Sequence, residues 1–501
     1  MIDIEKEKLR RENSDLKKQL GSVSKELEFA NKQFNSLSKR FETLSTKFGL
    51  ATKEIKSLKG KLFTSERKRK LSKEGGKKID DYIQLIPIAR HQYPELIVKL
   101  SVHIYANTRC GFRGVVTILK ALKEELNLDI EIPCYNTIKN WVLKSGYSIY
   151  HEPFEESIKG DYIVTIDDSM MVGSQRLLLI LGCSSKHPGK PLSHNDVAIL
   201  GMAVRHSWDG ESIRSELEKV SKRVGRSPLH VISDNASIMK NGVSKSNLLH
   251  IRDISHTLGM ILERVYKKDK EFKSFMKKIS LVKSKAVMTL EAYLLPPKQR
   301  DIARFLNLSK IIDWATKMLK IFNTKLSPKE RKIFAFITKF ASFITELDTV
   351  IFCINTIEKK IKNEGLSRKS VKYCIEYVKQ NLYNGNERMK KVAEQIMQYL
   401  KEEAKKFPKH SRVCWNASSD VIESVFGVFK DRKSPNSLHG VTTFIFLLPL
   451  HTRIGTKDDS MVPFDYKHSL ESVFMREIRD WEKKNLFENQ VSRRTKILNS
   501  A

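Results

Sequence analysis

From residue 9 to residue 62 apolar side chains return at alternating spacings of three and four. One row is Leu9, Leu16, Val23, Ala30, Leu37, Leu44, Ala51 and Leu58; the other is Asn13, Leu20, Leu27, Phe34, Phe41, Phe48, Ile55 and Leu62. Eight heptads with this spacing predict a left-handed coiled coil over 1–64, the first row at d and the second at a. In a parallel pair the g-to-e′ neighbours Glu5–Arg10, Glu12–Lys17 and Glu54–Lys59 attract, and Asn13 at a fixes register. A parallel homodimer is the expected assembly; a long helix folding back on its own chain is the competing one.

The basic, Gly-containing stretch "SERKRKLSKEGGKK" marks a linker over 65–80. Helical periodicity then fills 81–150. Val115, Val116, Leu119 and Leu122 stripe one helix; after "NLDIEIP", Ile138, Trp141 and Val142 stripe a second. Two amphipathic helices about a tight connection predict a helix-turn-helix, its second helix offering Asn136, Thr137, Lys139, Asn140 and Lys144 to a DNA groove. A helical hairpin with no DNA role has the same pattern.

At 161 the period changes. "DYIVTID", "QRLLLILGC" and "AILGMAVRHS" read as strands, "GESIRSELEKVSKRVG" as an amphipathic helix, and "LHVISD" and "NLLHIRD" as two more strands. Together they predict an α/β sheet within 158–265. Residues 266–410 are nearly all helical in pattern, including a capping-box start at Ser327, Pro328 and Glu330. Then "SSDVIESVFGVFKDRK" places Val421, Ile422, Val425, Phe426, Val428 and Phe429 on one apolar arc, with Glu423 at its edge and Gly427 leaving bare backbone beside it. The tail, 451–501, is basic and partly helical in pattern.

Asp167 and Asp234 each end a strand, and Glu423 lies on the late helix. Strand ends of an open α/β sheet gather ligands. Two such aspartates and a helix-borne third acid would form an oxygen-rich pocket suited to Mg²⁺ or Mn²⁺, two ions of which activate an attacking oxygen and stabilise a leaving one. Asp168 competes with Asp167, since period two lets only one of the pair face a given side. Asp420 competes with Glu423; Asp196 and Asp253 also lie near strand ends, and His256 is either a site residue or a structural helix-start histidine. No Ser-His-Asp or Cys-His arrangement is evident. Single strand-end aspartates are often only turn formers.

The ordered set "IDDS", "LLLILG", "PLSHNDV", "VISDNAS", "RDISH", a long helical block and "SDVIESVFGVFK" resembles bacterial insertion-sequence transposases of the DDE type. That resemblance implies an RNase H-like core: a five-stranded mixed sheet with helices, in two parts, 158–265 and 411–450. It also implies an all-α insertion at 266–410, Asp167, Asp234 and Glu423 as catalytic and metal-binding triad, and cut-and-paste transposition. Double-stranded DNA, both the element's terminal inverted repeats and the target, would be the substrate. Lys430, Arg432 and Lys433 are candidates for holding its phosphates, and Trp415 for stacking on a base. The rivals are an RNase H-like nuclease without strand transfer, a domesticated DNA-binding regulator and a nucleoid-bridging structural protein.

Charge agrees with a polyanionic partner: 91 Lys plus Arg against 58 acids leave a net +33 over 501 residues. With 40% apolar residues most of the chain should fold. The longest apolar region, 333–354, is interrupted by Lys339, Glu346 and Asp348, so no membrane span is expected. The six cysteines are scattered, which points to reduced thiols in the cytoplasm, with the protein at the nucleoid.

Overall fold

The structure, a computed structural model, describes residues 21, 88 and 91–500 except 129, 154–159, 173–174, 298–304, 306–307, 408–413, 433–438 and 455–463, and only the backbone at 169–172. The expected coiled coil over 1–64, the linker over 65–80 and Lys433 therefore lie outside the described residues.

Among the described residues three helices precede the sheet: α1 (Glu95–Asn107), α2 (Phe112–Leu126) and α3 (Tyr135–His151). Of the stripes expected to face inward, Val115, Leu119, Ile138, Trp141 and Val142 are buried, and Val116 and Leu122 are only half-buried. Asn127, in the left-handed region at φ 48°, ends α2 and starts the connection to α3.

The sheet is five-stranded and mixed. Its strands are β1 (Tyr162–Val172), β2 (Gln175–Ser184), β3 (Val197–Arg205), β4 (Val231–Ser233) and β5 (His250–Arg252), in the spatial order β3-β2-β1-β4-β5. β1–β2 and β2–β3 are antiparallel; β1–β4 and β4–β5 are parallel. Helix α4 (Gly210–Val224), capped by the Asp209 side chain, crosses from β3 to β4, and α5 (Ser237–Lys245) from β4 to β5.

Both sheet faces are buried. On β1 Tyr162, Val164 and Ile166 pack with Ile213, Leu217 and Val220 of α4, whereas Ile163 faces the opposite core. Asp167, an even number of residues from Ile163, belongs to that second face.

After β5 every described regular element is helical. The helices are α6 (Ile254–Tyr266), α7 (Lys270–Ala286), α8 (Leu308–Ile321), α9 (Pro328–Phe334), α10 (Phe336–Lys339), α11 (Ala341–Glu364), α12 (Arg368–Leu382) and α13 (Glu387–Lys405), with a 3₁₀ turn at Leu290–Leu294. The expected capping box opens α9: the Ser327 N–H donates to Glu330 at 2.6 Å, and the Glu330 N–H donates to Ser327 Oγ at 3.4 Å. Helix α14 (Asp420–Lys430) then returns to the sheet, burying Val421, Ile422, Val425, Phe426 and Phe429.

A 3₁₀ turn (Thr443–Phe446) and helices α15 (Leu447–Ile454), α16 (Tyr466–Ser472), α17 (Met475–Asn485) and α18 (Gln490–Asn499) complete the chain. The tail is more than a basic appendage. Tyr466 and Leu470 join Leu447, Leu450 and Ile454 in one core with α1–α3.

That junction depends on Gly146 of α3. A Cβ built there would lie 2.0 Å from the Phe446 carbonyl oxygen. Backbone cannot swing aside as a side chain can, so Gly146→Ala should cost about 3 kcal/mol or more. A thermal melt checks this; an unchanged midpoint would show that the two segments are not in contact.

Candidate active site

The parallel β1–β4 register pairs Val164 with Val231 and Thr165 with Ile232. Carried two residues further it sets Asp167 level with Asp234, on strands about 4.8 Å apart. Asp234 lies just past β4, where its Oδ1 accepts the Ala236 N–H at 3.1 Å and turns the chain into α5. Across β1 packs α14. Its buried arc presses on the core, which leaves Glu423 and Ser424 exposed on the other side. Beside them, a Cβ at Gly427 would meet nothing within 4 Å.

Glu423 Oε1 lies 2.9 Å from His256 Nε2, on the first turn of α6. That contact, before all else, lifts the His256 imidazole to about 9, against the effect of burial. The Asp167 carboxyl is pushed up to about 7, first by burial and then by Asp234 and Asp168; His256 opposes the rise and Glu423 adds to it. Asp234 and Glu423 thus both act on one half-buried carboxyl, and that carboxyl is not at a strand end as expected: β1 runs five residues past Asp167 to Val172, paired with β2.

The competing acids have cations or caps of their own. Asp168 Oδ2 sits 2.9 Å from Arg176 Nε. Asp420 is paired with Lys362 and accepts from Ser255 Oγ at 3.3 Å. Asp196 caps a turn, accepting from the Ser193 N–H and Oγ at 2.8 and 2.6 Å.

Asp253 is fully buried and holds two helix starts. Its Oδ1 caps α6 through the His256 N–H at 2.6 Å, and its Oδ2 accepts from the Ser419 N–H at 2.6 Å and Oγ at 2.9 Å. One carboxylate therefore fixes both α6, with His256, and α14, with Glu423.

Among the described residues no three His, Cys, Asp or Glu side chains stand together at metal-ligand spacing. The donor set nevertheless suits a hard divalent cation: all three groups are carboxylates, and among the described residues no donor hydrogen-bonds to the half-buried Asp167 side chain. Glu423, engaged by His256, is the member that would have to swing inward.

The groove-facing candidates divide. Asn136 is exposed, next to Tyr135, whose ring lies beneath the Arg113 guanidinium at 5.2 Å. Thr137 is half-buried and bonds Cys134 Sγ at 3.2 Å. Lys139 lies over the Phe444 ring, Asn140 is half-buried, and Lys144 Nζ donates to the Leu470 carbonyl at 3.4 Å. The first turn of α3 is thus its open end. Tyr135 and Arg113 were not anticipated, because their pairing joins the starts of two helices.

Near Glu423, Lys430 is exposed above the Phe426 ring. Arg432 instead binds the Ala106 and Thr108 carbonyls and stacks on Tyr105, tying the end of α14 to α1. Trp415 is a core residue, between His230 and Phe407.

Compared with models of known protein families the chain matches none, and no curated protein matches it significantly. No described helix is long and apolar enough to cross a membrane.

Proposed function

We propose that this chain is a cut-and-paste DNA transposase with an RNase H-like core interrupted by an all-α insertion. The observation that carries the reading is that Asp234, just past β4, and Glu423, on a helix beyond a long helical block, both act on the Asp167 carboxyl of β1. The sheet order β3-β2-β1-β4-β5, with only its first three strands antiparallel, supports it.

Two Mg²⁺ or Mn²⁺ ions held by these carboxylates would supply Lewis-acid activation of the attacking oxygen and neutralise charge on the leaving one. Asp167 and Asp234 would be the fixed ligands, placed by strand register. Glu423 would move from His256 to complete the set. Open space beside Gly427 lets a DNA backbone approach, and Lys430 would bind a phosphate. The start of α3, with Asn136, Tyr135 and Arg113, would read the terminal inverted repeats, and the N-terminal heptads would pair two protomers at the nucleoid.

The test is cleavage of duplexes drawn from the DNA flanking the coding segment, and joining of pre-cleaved ends, each with and without Mg²⁺. Wild type should do both, and Asp234→Asn and Glu423→Gln neither. Cleavage without joining would make the protein a nuclease. Full activity in Glu423→Gln would remove that residue from the site.

A further inference from the structure

Far along the chain from the carboxylates, α7 and the α9–α10 pair enclose a cleft of about 420 Å³, within the range of ligand-binding pockets. Its lining is apolar in Val282, Ile333 and Phe336, with the exposed Leu281 beside them. Lys278 and Lys285 stand on one wall, and Lys332 and Lys339 on the other. On α7 the two lysines are seven residues apart, two helical turns or about 10 Å, and Lys332 and Lys339 are seven residues apart across the break between α9 and α10.

No carboxylate lines the cleft. The nearby acids are taken: Glu291 pairs with Lys329, and Glu330 accepts from the Tyr293 hydroxyl. Among the described residues none of the four lysines has an acidic partner. Just past the end of α7, Met288 and Leu290 are 94% and 89% exposed. Such side chains in water are costly unless something covers them.

We propose that this cleft docks an acidic amphipathic helix of a partner protein. Two rims of positive charge around an apolar lining complement a helix with apolar residues at i, i+3, i+4 and i+7 flanked by glutamates. A second copy of this chain is disfavoured, because it would bring the same lysines together. Duplex DNA would use the lysines and leave the apolar lining, Met288 and Leu290 uncovered. The proposal does not depend on the catalytic reading.

The experiment uses the full-length protein and a fluorescent synthetic helix carrying leucines at those four positions and flanking glutamates, read by anisotropy. Wild type should bind it. Lys278→Glu with Lys332→Glu should weaken binding about tenfold or more, and should favour the same peptide remade with lysines. Leu281→Ser should weaken binding with no charge change. Circular dichroism and a thermal melt confirm that the variants fold. Peptide binding indifferent to both sets of substitutions overturns the proposal. So does a single-stranded oligonucleotide, or a phosphatidylserine vesicle, whose binding is lost in the double variant while the peptide's is not.

Discussion

Asp167→Asn is expected to abolish cleavage and joining, by about a thousandfold or more, while making the metal-free protein harder to melt above pH 7. Both effects have one cause. Asp167 is half-buried beside other acids, and its folded pKa is about 7 against an ordinary value of 3.8. An unfolded chain gives up this proton near pH 4, whereas the folded protein keeps it until about pH 7. Stability is therefore lost as pH rises through that interval, by about 4 kcal/mol in all at 1.36 kcal/mol per pH unit.

His256 adds a loss at higher pH. With its folded pKa raised to about 9, its contribution is complete below 6.5 and disappears as pH passes 9. Asparagine keeps the shape of Asp167 and removes only the first loss. Melting in chelator at pH 8 should show a gain of several degrees, shrinking at pH 5 and absent near pH 4. Equal midpoints for variant and wild type across this range would mean that Asp167 is not crowded by other acids.

Positions along the chain were easier to read from the sequence than orientations. The place of Asp234 just past its strand was legible; Asp167 was expected to end its strand too, but β1 runs on to Val172 because β2 returns beside it. Which of Asp167 and Asp168 faces the site was not legible, because Tyr162, Val164 and Ile166 are as apolar as Ile163 and both faces of β1 are covered. The choice between Asp420 and Glu423 rests on Lys362, brought to Asp420 from α11. Arg432 looked like a phosphate ligand because nothing in a sequence marks the backbone carbonyls that receive it. Tyr466 and Leu470 gave little information for a similar reason: the core they complete is supplied by α1–α3, more than three hundred residues earlier.

Asp253→Ala is the second substitution with a large expected effect. The change leaves the His256 N–H and the Ser419 N–H and hydroxyl without their acceptor in a buried place. At about 1–3 kcal/mol for each stranded group, partly relieved by relaxation, the protein should lose about 3 kcal/mol or more. Asp253→Asn should fall between, since one side-chain oxygen still accepts while the amide opposes a donor. Activity should fall further than stability explains. The Ile254 N–H donates to the Ala417 carbonyl at 2.9 Å, so one backbone bond would still join α6 to the approach to α14. That bond holds the chains together without fixing the rotation of α14, and Glu423 lies only four residues past Ser419. Folded Asp253→Ala, assayed well below its melting point, should cleave about a hundredfold more slowly with little change in DNA affinity. A slower rate with unchanged affinity marks a misplaced Glu423; a lowered melting point with a normal rate would show that Asp253 only holds the fold.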